Sequence, residues 1–426
     1  MVHMIDHPLR QSSANELHAR PFPNVAAPAR AAFLAYKSAD DETGRDETAD
    51  RAHLWRLLDM YGVAHPDNDA THYFGQLGAV WVKWECHTEF VTYTAILGDP
   101  GDKPFDGTEF DIFPADWLAE LPGMTLTSTS LRIEADFETE AIKVKLSNWF
   151  VSESLAVSRV LDNAAVIAGD YRIDGNGHLR FSVFVPPSTG RRRVGRIVQR
   201  LNEIEVYKAM SMLGLFRARA LSSQLNVVDA DMSALVAALA DEQVSAEDNL
   251  HVLLGLSAKL ENHSARVAYR FAASKAYAAI VAQRIEVLRE GQFEGRQTFR
   301  EFMMRRFDPA MRTVQALDAR LQDLIARAIR TGDLLRTSVD VERQSQSQDL
   351  LTSMNRRADM QLKLQKTVEG LSVVAVSYYA TGLVLYVLAP LATVFGLYKG
   401  ILTACVVPVV VGLVYLALRR IRRQMP

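Results

Sequence analysis

Two long stretches without a charged side chain lie near the C-terminal end of this sequence, and they restrict the fold more than any other feature. Residues 370–398 are 29 positions without Asp, Glu, Lys or Arg, and residues 400–418 are 19 more, separated only by Lys399. A helix that crosses the hydrocarbon core of a bilayer needs about 20 apolar residues. The first run therefore holds one span and part of a turn, and the second a single span. Pro390, Gly396 and Gly400 mark the expected turn between them. Arg356, Arg357, Lys363 and Lys366 precede the first run, and four arginines follow the second in Arg419-Arg420-Ile421-Arg422-Arg423. By the positive-inside rule both flanks, and everything upstream, belong in the cytoplasm. The expectation is a multi-pass protein of the inner membrane with lipid as its first partner and both termini cytoplasmic.

The rest of the chain reads as an α+β cytoplasmic domain followed by helices. Leu77–Ile96 is rich in aromatic and β-branched residues and reads as two strands meeting near Cys86–Glu89. Met124–Asp136 alternates Leu131, Ile133 and Ala135 against polar neighbours. Val166–Ile173 and His178–Val185 flank Asp174-Gly175-Asn176-Gly177, a hairpin signal because glycine and asparagine accept positive φ. Trp55, Leu57, Leu58, Trp117 and Leu118 fall in helix-like stretches between strands, so a mixed sheet is expected over residues 1–190.

After Pro186-Pro187 the strand pattern stops. Ile197, Leu201 and Ile204 recur at helical spacing, as do Leu253, Leu256, Leu260, His263, Val267 and Phe271. A helical region is thus expected over 191–308, broken between Glu290 and Gly295. Asp308-Pro309 reads as a cap followed by proline in the first turn. Val314, Leu317, Leu321, Leu324 and Ala328 then form a coiled-coil-like seam. Uninterrupted to Leu388, this helix is roughly 120 Å long at about 1.5 Å per residue. Its apolar stripe calls for neighbours, which points to a homo-oligomer. The expected order is a stalk helix at 309–369, a first span at 370–390, an external loop at 391–400, a second span at 401–418 and a basic tail at 419–426.

Composition closes off other classes. A formal net charge of -2 and an apolar fraction of 49% give no sign of a nucleic-acid partner or of disorder. The two cysteines, Cys86 and Cys405, lie in unrelated segments, as expected in a reducing compartment. The first residues have no apolar core of the kind a signal peptide carries. Gly-x-Gly-x-x-Gly, a phosphate loop and Gly-x-Ser-x-Gly are all missing from the sequence. No enzyme, cofactor or metal is expected. His65, Asp67, Asp69 and His72 faintly echo a calcium loop without its glycine and glutamate, so a polar loop is the reading there. His263 is read as a core histidine, and Arg191–Arg193 with Arg196 and Arg200 as a solvated helix start in preference to a phosphate site.

Two segments carry a resemblance. Glu16-Leu17-His18-Ala19-Arg20-Pro21-Phe22 and Lys83-Trp84-Glu85-Cys86-His87-Thr88-Glu89-Phe90 resemble the bacterial membrane family known as domain of unknown function 3422, over almost the whole chain. Glu16, His18 and Arg20 form either a polar binding cluster or salt bridges that fasten the N-terminal arm. The order of elements also resembles the CorA magnesium-transporter superfamily, as does Lys366–Ala375, which implies a CorA-like fold and a pentamer. That superfamily ends its first span with Gly-Met-Asn, whereas Tyr386-Val387-Leu388-Ala389-Pro390-Leu391 stands here. Thr367, Gly370, Val374, Ser377 and Thr381 share one small, polar helix face, suited to lining a pore or to close helix packing. The resemblance implies a homo-oligomeric channel or transporter without the magnesium motif. The alternative is a non-conducting membrane-anchored scaffold or sensor.

Overall fold

The computed structural model describes residues 7–11, 22–38, 45–239, 245–394 and 399–424. The strands are β1 (Ala29–Lys37), β2 (His72–Leu77), β3 (Val80–Cys86), β4 (Val91–Leu97), β5 (Met124–Glu134), β6 (Ala156–Val160), β7 (Ala165–Ile173), β8 (Leu179–Phe184) and the two-residue β9 (Gly291–Gln292). Among the described residues they form a nine-stranded mixed sheet in the order β2-β3-β4-β1-β5-β8-β7-β6-β9. The expected hairpin of β3 and β4 is antiparallel, with Trp84 opposite Tyr93 and Cys86 opposite Val91. The pairing of β5 with β8 is parallel. The Asp174–Gly177 turn works through one glycine and one side chain: Gly177 has φ +89°, and Asp174 Oδ1 accepts from the amides of Asn176 and His178 at 2.9 and 3.0 Å.

One face of the sheet is apolar. Over β1 to β4 it meets α1 (Glu47–Met60) and α2 (Ala115–Ala119), burying Leu34, Tyr36, Leu54, Leu57, Trp84 and Trp117. Asp46 caps α1 by accepting from Thr48 and Ala49 at 3.0 Å. Over β6 to β8 the same face meets α3 (Thr139–Trp149) through Ile142, Leu146, Val166 and Phe184. Each large side chain sealed here contributes about 1.5–3 kcal/mol.

The opposite face carries α4 (Arg191–Ala238). This layer is largely apolar but carries polar pairs within it. Thr127 donates to Glu205 Oε1 at 3.0 Å and Thr129 to Asn202 Oδ1 at 3.3 Å. Such groups are tolerated in a buried layer because each is matched by a partner.

α4, α5 (Ala246–Leu288) and the first part of α7 (Asp308–Val394) pack side by side. The short α6 (Phe299–Arg306) precedes α7 and opens with a Thr298–Glu301 capping box. Val314, Leu317, Leu321, Leu324 and Ala328 are all buried within this single chain. The seam expected to face a second copy is therefore covered: Arg320 and Arg327 on α7 both bind Asp229 of α4 at 2.9 and 3.2 Å, which turns the apolar side of α7 inward.

The sheet and these helices form one unit, Met1–Asp241 with His251–Thr331. A second unit comprises Glu242–Leu250 and Gly332–Pro426. In it α7 continues to Val394, and α8 spans Lys399–Gln424. Pro390 lies inside α7 rather than at the expected turn. α8 also contains a proline, Pro408. Leu402, Val406, Val410 and Val414, four residues apart, are the less exposed positions of α8 and form its packing ridge. Over the charge-free segments, 370–394 of α7 and 400–418 of α8, most described side chains are apolar and exposed, with Tyr386 at 83%. Both helices are long and apolar enough to cross a membrane.

Candidate functional site

Alternation along β3 sorts the Lys83–Phe90 motif into two sets. Trp84 and Cys86 enter the apolar core. Lys83, Glu85 and, just past the strand end, His87 line a cleft against α4. Lys83 is 3% exposed, a burial that a lysine tolerates only when paired. Its ammonium donates to Glu85 Oε1 and to Gln199 Oε1, both at 3.0 Å.

The other wall comes from α4 and α5. Gln199, Asn202 and Glu203 lie at helical spacing on α4, and Arg284 reaches in from α5. Gln199 Nε2 donates to Glu203 Oε1 at 2.9 Å, and Arg284 Nε donates to Glu203 Oε2. A chain of ion pairs and hydrogen bonds thus runs Glu85–Lys83–Gln199–Glu203–Arg284 around a cavity of about 250 Å³. Thr92 and Thr94 of β4 and Tyr207 of α4 complete the lining.

Phe22 and Pro23 form the rim. They are held there because the chain crosses the first turns of α4: Val25 N donates to Arg191 O at 3.2 Å. At Gly195 a Cβ would stand 1.7 Å from the Pro23 carbonyl oxygen, so only glycine admits this crossing.

Groups beside the cleft are structural. Glu89 is held by Arg270 and accepts from Tyr277 Oη at 2.9 Å. Burial beside Glu89 pushes the Tyr277 hydroxyl pKa up. Burial also raises the Cys86 thiol to about 11, so at neutral pH it is a protonated core residue. His53 is sealed in the apolar core between Tyr93 Oη at 3.1 Å and the Trp117 carbonyl at 3.0 Å, and desolvation lowers it to about 4.

The residues singled out from the sequence are distributed as follows. Glu16, His18 and Arg20 lie outside the described residues, but Phe22, the last residue of their motif, is on the cleft rim. Thr367, Gly370 and Val374 are exposed on α7. Ser377 is 5% exposed, and among the described residues its hydroxyl finds no hydrogen-bond partner. Val374, Ser377 and Thr381 line a groove of about 770 Å³ with Thr403, Val407 and Val411 of α8. His65 pairs with Asp59 at 2.7 Å and stacks on Trp55 at 5.3 Å, so the loop histidine is held by α1 and not by Asp67 or Asp69. His263 is half-buried, not the core histidine expected, because it falls at the edge of the apolar stripe of α5. Arg191–Arg193 and Arg196 are exposed.

The sequence reading overlooked Gln199, Asn202, Glu203 and Arg284. Residues 199, 202 and 203 fall off the helical stripe of Ile197, Leu201 and Ile204, where polar residues are ordinary, so the only signal was Lys83 and Glu85 interrupting an otherwise apolar strand.

The site is a small cleft, charge-balanced where Lys83, Glu85, Glu203 and Arg284 meet and apolar where Phe22, Phe33, Val198 and Val206 line it. The chain belongs to the family described as Protein of unknown function (DUF3422), whose model matches residues 5–425. No curated protein and no solved structure matches it.

Proposed function

We propose that this is a membrane-anchored ligand-binding protein: the cleft between β3 and α4 takes up a small polar molecule, and the two C-terminal helices hold the domain at the cytoplasmic face of a bacterial inner membrane. The observation that supports this reading is convergence. Phe22 of the first motif and Lys83, Glu85 and His87 of the second meet on one cavity, although about 60 residues separate them in the chain. A buried ammonium is costly, and an apolar residue in its place is often at least as stable. Its presence beside a cavity supports a recognition role. The exposed apolar surface of α7 and α8, flanked by arginine and lysine, supplies the anchor.

Two measurements test this. With an impermeant thiol reagent, Gly396→Cys labels in intact cells and Arg300→Cys labels only after lysis; the reverse pattern rules out the topology. In the purified full chain, a metabolite panel contains at least one compound that raises the melting temperature, and Lys83→Met abolishes that shift.

A second reading keeps the likeness to the CorA superfamily: a homo-oligomeric channel or transporter without Gly-Met-Asn. The spacing of Thr367, Gly370 and Val374, three and four residues apart on one face of α7, supports it. Flux of potassium, magnesium, zinc and nickel in proteoliposomes separates the two readings. Saturable transport that Thr381→Leu abolishes favours conduction; no flux of any ion favours the sensor.

A further inference from the structure

We infer that the cleft is built for a zwitterion of the α-amino-acid kind, a molecule carrying one carboxylate and one ammonium. This rests on the cleft being a binding site and specifies its ligand. Two cations, Lys83 and Arg284, and two carboxylates, Glu85 and Glu203, already balance within the cavity. A ligand with net charge would leave one buried charge unmatched, which is the expensive outcome. An apolar ligand would leave the free donors and acceptors of the wall without partners, and a neutral polar one would not match their opposite charges.

Those unused groups are of both signs. Among the described residues, Arg284 is bonded only through Nε, so its two terminal nitrogens keep a planar fork of N–H donors of the geometry that receives a carboxylate. Asn202 accepts through Oδ1 and keeps its amide donors. Both lie on the helical wall. Across the cavity, on β3, Glu85 binds Lys83 through Oε1 and keeps Oε2, a carboxylate oxygen suited to an ammonium. The hydroxyls of Thr92 and Thr94 lie on the strand next to β3. Donors on the helix and an acceptor on the sheet match the two ends of an amino acid, and a cavity of about 250 Å³ leaves room for its side chain.

The test uses the full chain in detergent and, as probes, the proteinogenic L-α-amino acids. Each hit is compared with its N-acetyl derivative, its methyl ester and the matching deaminated carboxylate by isothermal titration. At least one amino acid saturates the protein, and blocking either end weakens it by about tenfold or more, as expected when a buried polar partner is left unmatched. Glu85→Gln weakens the amino acid but not the deaminated carboxylate, whereas Arg284→Gln weakens both. Asn202→Asp, which removes donors from the same wall, serves if either variant fails to fold. A deaminated carboxylate that binds as tightly as its parent overturns the inference, as does a hit indifferent to all three variants. A parallel panel of dicarboxylates, polyamines, sugars and nucleosides separates the two levels. Binding of one of these, lost in Lys83→Met, keeps the cleft as a site and removes the zwitterion. If neither panel binds, both readings fall.

Discussion

Glu89 and Arg270, 181 residues apart in sequence, form an ion pair almost closed to solvent, tying the turn after β3 to the middle of α5. Removing one partner strands a buried charge, which costs about 3–5 kcal/mol, more than the pair itself is worth. Arg270→Met therefore lowers unfolding stability by that order in chemical denaturation. The double variant Glu89→Gln/Arg270→Met recovers a measurable part of the loss.

Gly195 sits under the Pro23 carbonyl, and any side chain there displaces the strap. Gly195→Val is expected to break the Val25–Arg191 hydrogen bond. Hydrogen exchange at the Val25 amide then speeds up while the amides of β3 and β4 keep their protection. Loss of protection throughout the sheet would show that the strap is part of the core.

Leu321 and Leu324 are covered within one chain, so truncating them creates cavities and not a freed interface. Leu321→Ala and Leu324→Ala each lower stability by about 2–5 kcal/mol. The particle size measured by mass photometry stays that of the parent. A change in size at unchanged stability would restore the seam as a contact between copies.

His53 resists protonation in the fold, at about 4 against an ordinary value of 6.5. The unfolded chain thus binds more protons between these values, so stability rises with pH across this window and is lost as pH falls from 6.5 to 4. The shift corresponds to at most about 3 kcal/mol. His53→Gln flattens this slope in melts between pH 4 and 7.

Elements whose signal is local were legible in the sequence. The β3–β4 hairpin, the Asp174–Gly177 turn and the helical character of the two charge-free segments follow from alternation, turn chemistry and length. β9 was not, because Gly291-Gln292 has no pattern of its own and pairs only because α5 returns the chain to the edge of β6. Pro390 misled for a physical reason. Proline ends helices in water, but in α7 the turns on either side of it carry the helix on to Val394. The cleft was half legible: the Lys83–Phe90 motif stood out, but Arg284 joins it only through the packing of α5 against α4.

The order of synthesis gives the sheet a head start. Its last strand, β9, is complete at Gln292, and the first apolar span begins only near Gly370. At about 5–20 residues per second, the ribosome needs roughly 4–16 s to make the intervening 80 or so residues. The pairing of β5 with β8, which joins the two halves of the sheet, is available earlier still, once Phe184 has emerged. A folded cleft can therefore exist while the two apolar C-terminal helices are still being translated.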